Sequence, residues 1–200
     1  MQELNNHDIA GFAKRFDAIR TLRNPVDFSE QHRFALTDIK KNGFLDLEGT
    51  LYLVQDVFEY EERNKQGKTV CKWKELELFA IESGDIRYLE YEVDDGLEIS
   101  VTEKELKLRE LGTTMEQIRS IADKEDGEIF FNETAYYYED DYKAYFVKNG
   151  EEHEVILYEF ESENHQYITI EAWGGENDDY EVFLSLPIQE RSIVLVALGS

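Results

Sequence analysis

Two stretches of this chain alternate apolar and acidic residues with a period of two, and that rhythm restricts the fold more than any other feature. Leu89, Tyr91 and Val93 alternate with Tyr88, Glu90 and Glu92. Leu97, Ile99 and Val101 alternate with Glu98, Ser100 and Thr102, and Leu76 and Leu78 with Glu75 and Glu77. A strand turns successive side chains to opposite faces, so this pattern predicts antiparallel strands with one buried and one wet face. On that reading the glutamates point outward, where they guard strand edges against pairing with other chains. Asp94-Asp95-Gly96 supplies a hairpin turn, with the glycine expected at positive φ.

The alternating stretch occurs twice. Glu75 to Ser83 aligns without a gap on Glu154 to Ser162, and the same offset carries Tyr88-Leu89 onto Tyr167-Ile168 and Glu92 onto Glu171. Upstream, Thr50 and Tyr52 match Thr134 and Tyr136. A duplicated β-meander is the simplest account. Three or four strands with one apolar face cannot bury it alone, but two copies can pack as a sandwich or close into a barrel-like body. The fold class expected is therefore mainly β, α+β overall, with two helical additions.

One addition is N-terminal. Ile9, Phe12, Ala13, Phe16 and Ile19 form an apolar stripe at helical spacing, Asp8 is placed to cap it, and Asn24-Pro25 ends it. Asp27 with Glu30 suits the start of a second short helix. The other addition lies between the copies: Thr114 and Gln117 form a capping box ahead of Met115, Ile118, Ile121 and Ala122. The expected organisation is a helical segment 1–41, a first meander 42–112, a connecting helix 113–127 and a second meander 128–200.

Charge follows the same division. The formal net charge is −24, yet residues 1–41 carry seven Lys/Arg against six Asp/Glu, so the acidity belongs to the rest of the chain. Such a field repels nucleic-acid phosphates and attracts basic proteins, polyamines and divalent cations. The expected partner is another protein, basic or membrane-associated. The alternatives are mimicry of DNA toward a nucleic-acid-binding protein, and binding of polyamines or divalent cations. No apolar run approaches the length of a membrane span and no signal peptide opens the chain. The single Cys71 excludes an internal disulfide and suits a cytoplasmic location.

Catalytic chemistry finds no foothold in the motifs. His7, His32, His153 and His165 have no zinc spacing, and no Ser/His/Asp or phosphate-loop pattern occurs. The expectation is a non-enzymatic protein with no cofactor and no metal. The stretch Asp38 to Gly49 starts like a calcium loop. Its third position is Lys40 and its twelfth Gly49, where oxygen ligands belong, so it reads as a boundary turn at Asn42-Gly43. The tyrosine-rich segment Tyr136 to Phe146 reads either as core or as a binding face. The residues proposed for an interaction surface are Tyr137, Tyr142, Trp173, Asp178 and Asp179.

The runs G-T-L-Y-L-V-Q-D-V-F-E-Y-E-E at Gly49 to Glu62, W-K-E-L-E-L at Trp73 to Leu78 and Y-L-E-Y-E-V-D-D-G at Tyr88 to Gly96 resemble domain-of-unknown-function family 4178. Y-I-T-I-E-A-W at Tyr167 to Trp173 is a similar second copy. The resemblance spans about residues 36–190. That family has no established activity and so contributes no catalytic residues. Its members are bacterial and often encoded near membrane-stress and polyamine-synthase-like genes, which implies an accessory or binding role.

Overall fold

A computed structural model describes residues 6–64, 66–148, 150–173 and 179–200. The elements run α1 (Asn6–Thr21), β1 (Phe44–Leu47), β2 (Thr50–Arg63), β3 (Thr69–Ala80), β4 (Ile86–Val93), β5 (Leu97–Glu105), α2 (Met115–Ala122), β6 (Glu128–Phe131), β7 (Thr134–Lys148), β8 (Glu151–Glu161), β9 (Tyr167–Trp173), β10 (Asp179–Pro187) and β11 (Ile193–Ala197), with short 3-10 turns between. The strands hydrogen-bond in the order β11-β1-β2-β3-β4-β5-β10-β9-β8-β7-β6, and β2 also pairs with β7. The fold is thus mainly β, as the alternation predicts. Two meanders are present, β1 to β5 and β6 to β10. They do not stack as separate sheets: β5 pairs edge to edge with β10, Val101 opposite Leu186.

Corresponding turns of the two meanders share one geometry. Glu48 and Gly49 link β1 to β2 with φ 53° and 87°, and Asn132 and Glu133 link β6 to β7 with φ 48° and 66°. Two successive left-handed residues give the turn whose twist matches a strand pair. Thr50 and Thr134, aligned in the sequence, each open the strand that follows. The turn at 94–96 is also present, closed by Asp94 N–H to Gly96 O at 3.1 Å. Gly96, however, does not take the positive φ expected of it.

The chain forms two compact units. The first comprises residues 1–57, 76–89 and 189–200. Its core gathers Phe44, Leu53, Phe79, Ile81 and Ala197 with Ala18 of α1. The expected stripe of α1 is not its buried face: Phe16 and Ile19 are about half exposed, at 50% and 49%. The helix docks through Ala18, whose small side chain permits close approach, and Leu22, just past its last residue, packs against the same core. Lys14 lies over the Phe79 ring at 4.8 Å on the same side. The side chains of Ile9 and Phe12 lie outside the described residues, and Asp8 falls inside the helix rather than at its cap. Asp27 does cap a following turn, accepting from Ser29 N–H at 2.8 Å.

The acids of the calcium-like stretch have structural roles in this unit. Asp38 accepts from Ala35 N–H at 2.9 Å and Asp46 from Gly49 N–H at 2.8 Å. Asn42 sits at φ 63°, and a Cβ on Gly43 would meet Ile39 Cγ1 at 2.7 Å and the Lys40 carbonyl at 2.8 Å. The backbone oxygen cannot move aside without disturbing the turn. Gly43→Ala is expected to cost about 1–3 kcal/mol, the usual range for overpacking. A thermal melt checks this, with Tm falling by roughly 3–10 °C.

The second unit comprises residues 58–75 and 90–188. Here β2, β3, β4, β5, β10, β9, β8 and β7 pair in turn, and β7 returns to β2 with Tyr60 opposite Phe146 and Glu62 opposite Ala144. That circuit is closed, which is the barrel-like outcome of the expected pair. One face of its strands carries Tyr136, Tyr158, Phe160, Ile168, Ile170, Val182 and Leu184, packed under Met115 and Ile118 of α2. Thr114 and Gln117 form the expected capping box. The other face of these strands is the one the alternation assigns to solvent, and there the expectation fails. Glu171 is 4% exposed and Glu75 9%, while Glu90 and Glu159 are half-buried. Strands of a closed circuit have an inside as well as a covered outside, so both parities are buried.

Candidate functional site

The register of the second unit assembles the inner face row by row. Tyr142 lies opposite Leu157, Leu157 opposite Glu171, and Glu171 opposite Glu181, one row across four strands. The next row sets Ala144 by Val155 and Val155 by Trp173. From β2 and β3, Tyr60 and Trp73 stack at 5.2 Å with their planes 10° apart. Phe146 meets Tyr60 at 5.1 Å and Trp173 at 5.3 Å, both edge to face, and Tyr142 meets Trp73 edge to face at 6.0 Å. In each edge-to-face pair the positive edge of one ring meets the negative face of the other.

Carboxylates stand among these rings. The Tyr60 hydroxyl donates to Glu171 at 3.3 Å, and the Tyr142 hydroxyl donates to Glu159 at 2.7 Å. Burial, then the neighbouring Glu90 and Glu181, push the Glu171 carboxyl up to about 8, against the Tyr60 hydrogen bond. Burial, then Glu159 and Glu92, push Glu90 up to about 8, against a hydrogen bond from the Trp73 indole. Burial also raises Glu159. Tyr60 is raised well above its ordinary value by burial and by Glu75, Glu171 and Glu90. Every charge named in these shifts is negative. The outside of the β2–β3 hairpin is handled differently. There Glu61 is held down to about 2 by Lys72 and Arg63, and Arg63 also pairs with Glu152 at 2.7 Å. The chain thus supplies cations to its outer glutamates, whereas the charges acting on Glu171 and Glu90 are other glutamates.

Cys71 lies at the margin of this cluster. Its thiol donates to Glu92 at 2.9 Å, and burial followed by that carboxylate pushes it up to about 12. A thiol so raised is a poor nucleophile. Among the described histidines, His165 is exposed beside Glu161, and His153 is an exposed neighbour of Phe146. No group of three His, Cys, Asp or Glu arranged to hold a metal occurs among the described residues.

The residues singled out in the sequence divide between different places. Tyr142 and Trp173 belong to the inner cluster. Tyr137 is 43% exposed on the β6–β7 hairpin, away from them in register. Asp179 is exposed where β10 starts, opposite Trp173, and Asp178 lies outside the described residues. Sequence reasoning missed Tyr60, Trp73, Glu90, Glu159 and Glu171. The aligned pair Glu92/Glu171 was the one available signal, since both members lie in or beside the cluster. In the first unit an open cavity of about 750 Å³ is bordered by Arg20, Arg23, Asp27 and Asn42. Arg23 is already committed there to the carbonyls of Arg20 and Leu22, at 2.5 and 2.8 Å.

The fold and the cluster define an antiparallel β-domain whose closed strand circuit encloses acid and aromatic side chains together. The chain belongs to the family of the domain of unknown function DUF4178, whose model matches residues 40–190. No curated protein and no solved structure matches it.

Proposed function

We propose that this chain is a non-catalytic binding protein for an organic ammonium ion, a polyamine being the class of ligand that fits, taken up by the inner face of the second unit. The observation that carries this reading is Glu171, buried beside Glu90 and among aromatic rings, with only negative charges acting on it. A buried carboxylate without a cation is costly, and an arriving ammonium removes that cost. Ring faces attract the same ligand, and they also cover its methylene groups. A hydrated inorganic cation gains less from such rings. Glu90, Glu159, Tyr142 and Trp173 are half-buried, so the cluster is reachable from solvent. We further propose a cytoplasmic, bacterial accessory role and an origin of the two meanders by duplication, supported by the lone thiol, the family resemblance and the paired turns. A second reading, a protein-interaction module, is favoured by the exposed aromatic residues of the β6–β7 hairpin.

Calorimetric titration with spermidine at physiological salt tests the ammonium reading. The expected result is one saturable site, weakened at least about tenfold (about 1.4 kcal/mol) in Glu90→Gln and Glu171→Gln. Glu151→Gln, which removes a charge from an exposed position on β8, should bind as the wild type does. Equal loss in all three variants would reduce the effect to general acidity and sink the reading, as would the absence of saturable binding.

A further inference from the structure

The two end strands of the sheet are treated differently. β11 is covered: Val26 N–H donates to Val196 O at 2.8 Å, and Gln31 Nε2 donates to Leu195 O at 2.5 Å. β6 pairs with β7 on one side and ends the strand order on the other. In a two-residue hairpin the flanking pair, here Phe131 and Thr134, exchanges hydrogen bonds, and the pattern then alternates. The N–H and C=O of Glu128 and Phe130 therefore point to the open edge. An open edge is a template for one more strand.

The side chains beside that edge are not those of a protected one. Phe130 is 50% exposed and Tyr137 43%. Phe130 lies opposite Ala135 and Tyr137 opposite Glu128, so the two aromatic residues are diagonal neighbours on one face. Around them the charge has one sign. From Asp123 to Asp141 the chain carries eight acidic residues against one basic, Lys124. Glu128, Glu133 and Glu139 are exposed. A second copy of this chain, with its net charge of −24, would be repelled from such an edge.

We infer that the β6 edge docks an extended, basic segment of a partner protein, which adds as a strand beside Glu128 and Phe130 and lays an apolar side chain against Phe130 and Tyr137. Main-chain bonds give such a complex its affinity, and alternate side chains give it selectivity. Lysines or arginines two residues along the added strand from that side chain share its face and meet Glu128. This docking is independent of ammonium binding in the strand circuit.

The probe is a fluorescein-labelled heptapeptide with lysine, lysine, valine and lysine at its odd positions and threonine at its even ones, followed by anisotropy at physiological salt. Two controls accompany it: the same peptide N-methylated at every residue, and Phe130→Thr, a change at an exposed strand position that keeps β propensity. The expected result is saturable binding that weakens by about tenfold in either control. Amide shifts should be confined to Glu128–Phe131 and neighbouring β7, and Glu171→Gln should bind the peptide unchanged. Equal binding of the N-methylated peptide would show adsorption by charge alone and overturn the proposal. So would an unaffected Phe130→Thr, shifts elsewhere, no binding, or self-association of the chain through this edge.

Discussion

Glu171→Gln should make the protein more stable in alkaline solution and leave it nearly unchanged in mild acid. The Glu171 carboxyl sits at about 8 in the folded chain against an ordinary 4.5. A carboxyl raised in this way binds more protons folded than unfolded. Stability therefore falls as pH rises from about 4.5 to about 8, and this contribution is flat above that. Glutamine keeps the shape and a polar group for the Tyr60 hydroxyl, and it never ionises. At about pH 9 the variant should gain roughly 2–4 kcal/mol, less than the full shift would give because an amide is not an ideal partner for Tyr60. That corresponds to a rise in Tm of roughly 5–12 °C for a chain of this size. At about pH 5 the two melting curves should nearly coincide. A variant destabilised at both pH values would mean that Glu171 is held as a compensated ion, contrary to the geometry described.

Trp73→Ala should produce the largest loss of stability of any change discussed. Trp73 is 5% exposed, stacks on Tyr60, meets the edge of Tyr142 and bonds Glu90 through its indole. Truncation opens a cavity, removes two aromatic contacts and leaves a half-buried carboxyl without its donor. The expected cost is about 3–5 kcal/mol, read from denaturant unfolding at neutral pH. The loss should grow above about pH 8, where the folded Glu90 ionises and its carboxylate lacks the indole donor. Trp73→Phe keeps the ring contacts and not the indole N–H. It should lose less stability overall while keeping most of the pH dependence. An effect of Trp73→Ala below about 1 kcal/mol would mean that the inner face is not packed as described.

Much of the fold was legible because strand parity is a strong local signal. The alternations at Glu75–Leu78, Tyr88–Val93 and Leu97–Thr102 fall on β3, β4 and β5, and Thr114 with Gln117 caps α2. What alternation cannot disclose is which parity faces solvent once a sheet closes. Glu171 and Glu90 look like outward residues in a strand considered alone, and only the pairing of β2 with β7 places them inside. The tyrosine-rich strand failed for a second reason. A β-bulge between Tyr138 and Asp140 shifts its register. Tyr136 and Tyr138 pack under α2, whereas Tyr142, of the same parity in sequence, turns to Glu159 and the inner cluster. A bulge inverts the face of everything after it, and no residue in Tyr138-Glu139-Asp140 announces it. In α1 the apolar stripe was real in the sequence, yet Ala18 and Leu22 make the contact.

The central claim is that the second unit keeps glutamates inside a closed strand circuit, where burial and one another hold their protons on. Carbon-13 NMR of the glutamate side-chain carboxyls across a pH titration tests it most directly. The account predicts that the Glu90 and Glu171 resonances, identified by their loss in the two glutamine variants, titrate as a coupled pair with a midpoint near 8. Titration of both in the ordinary carboxylate range, at about 4 to 5, would contradict it.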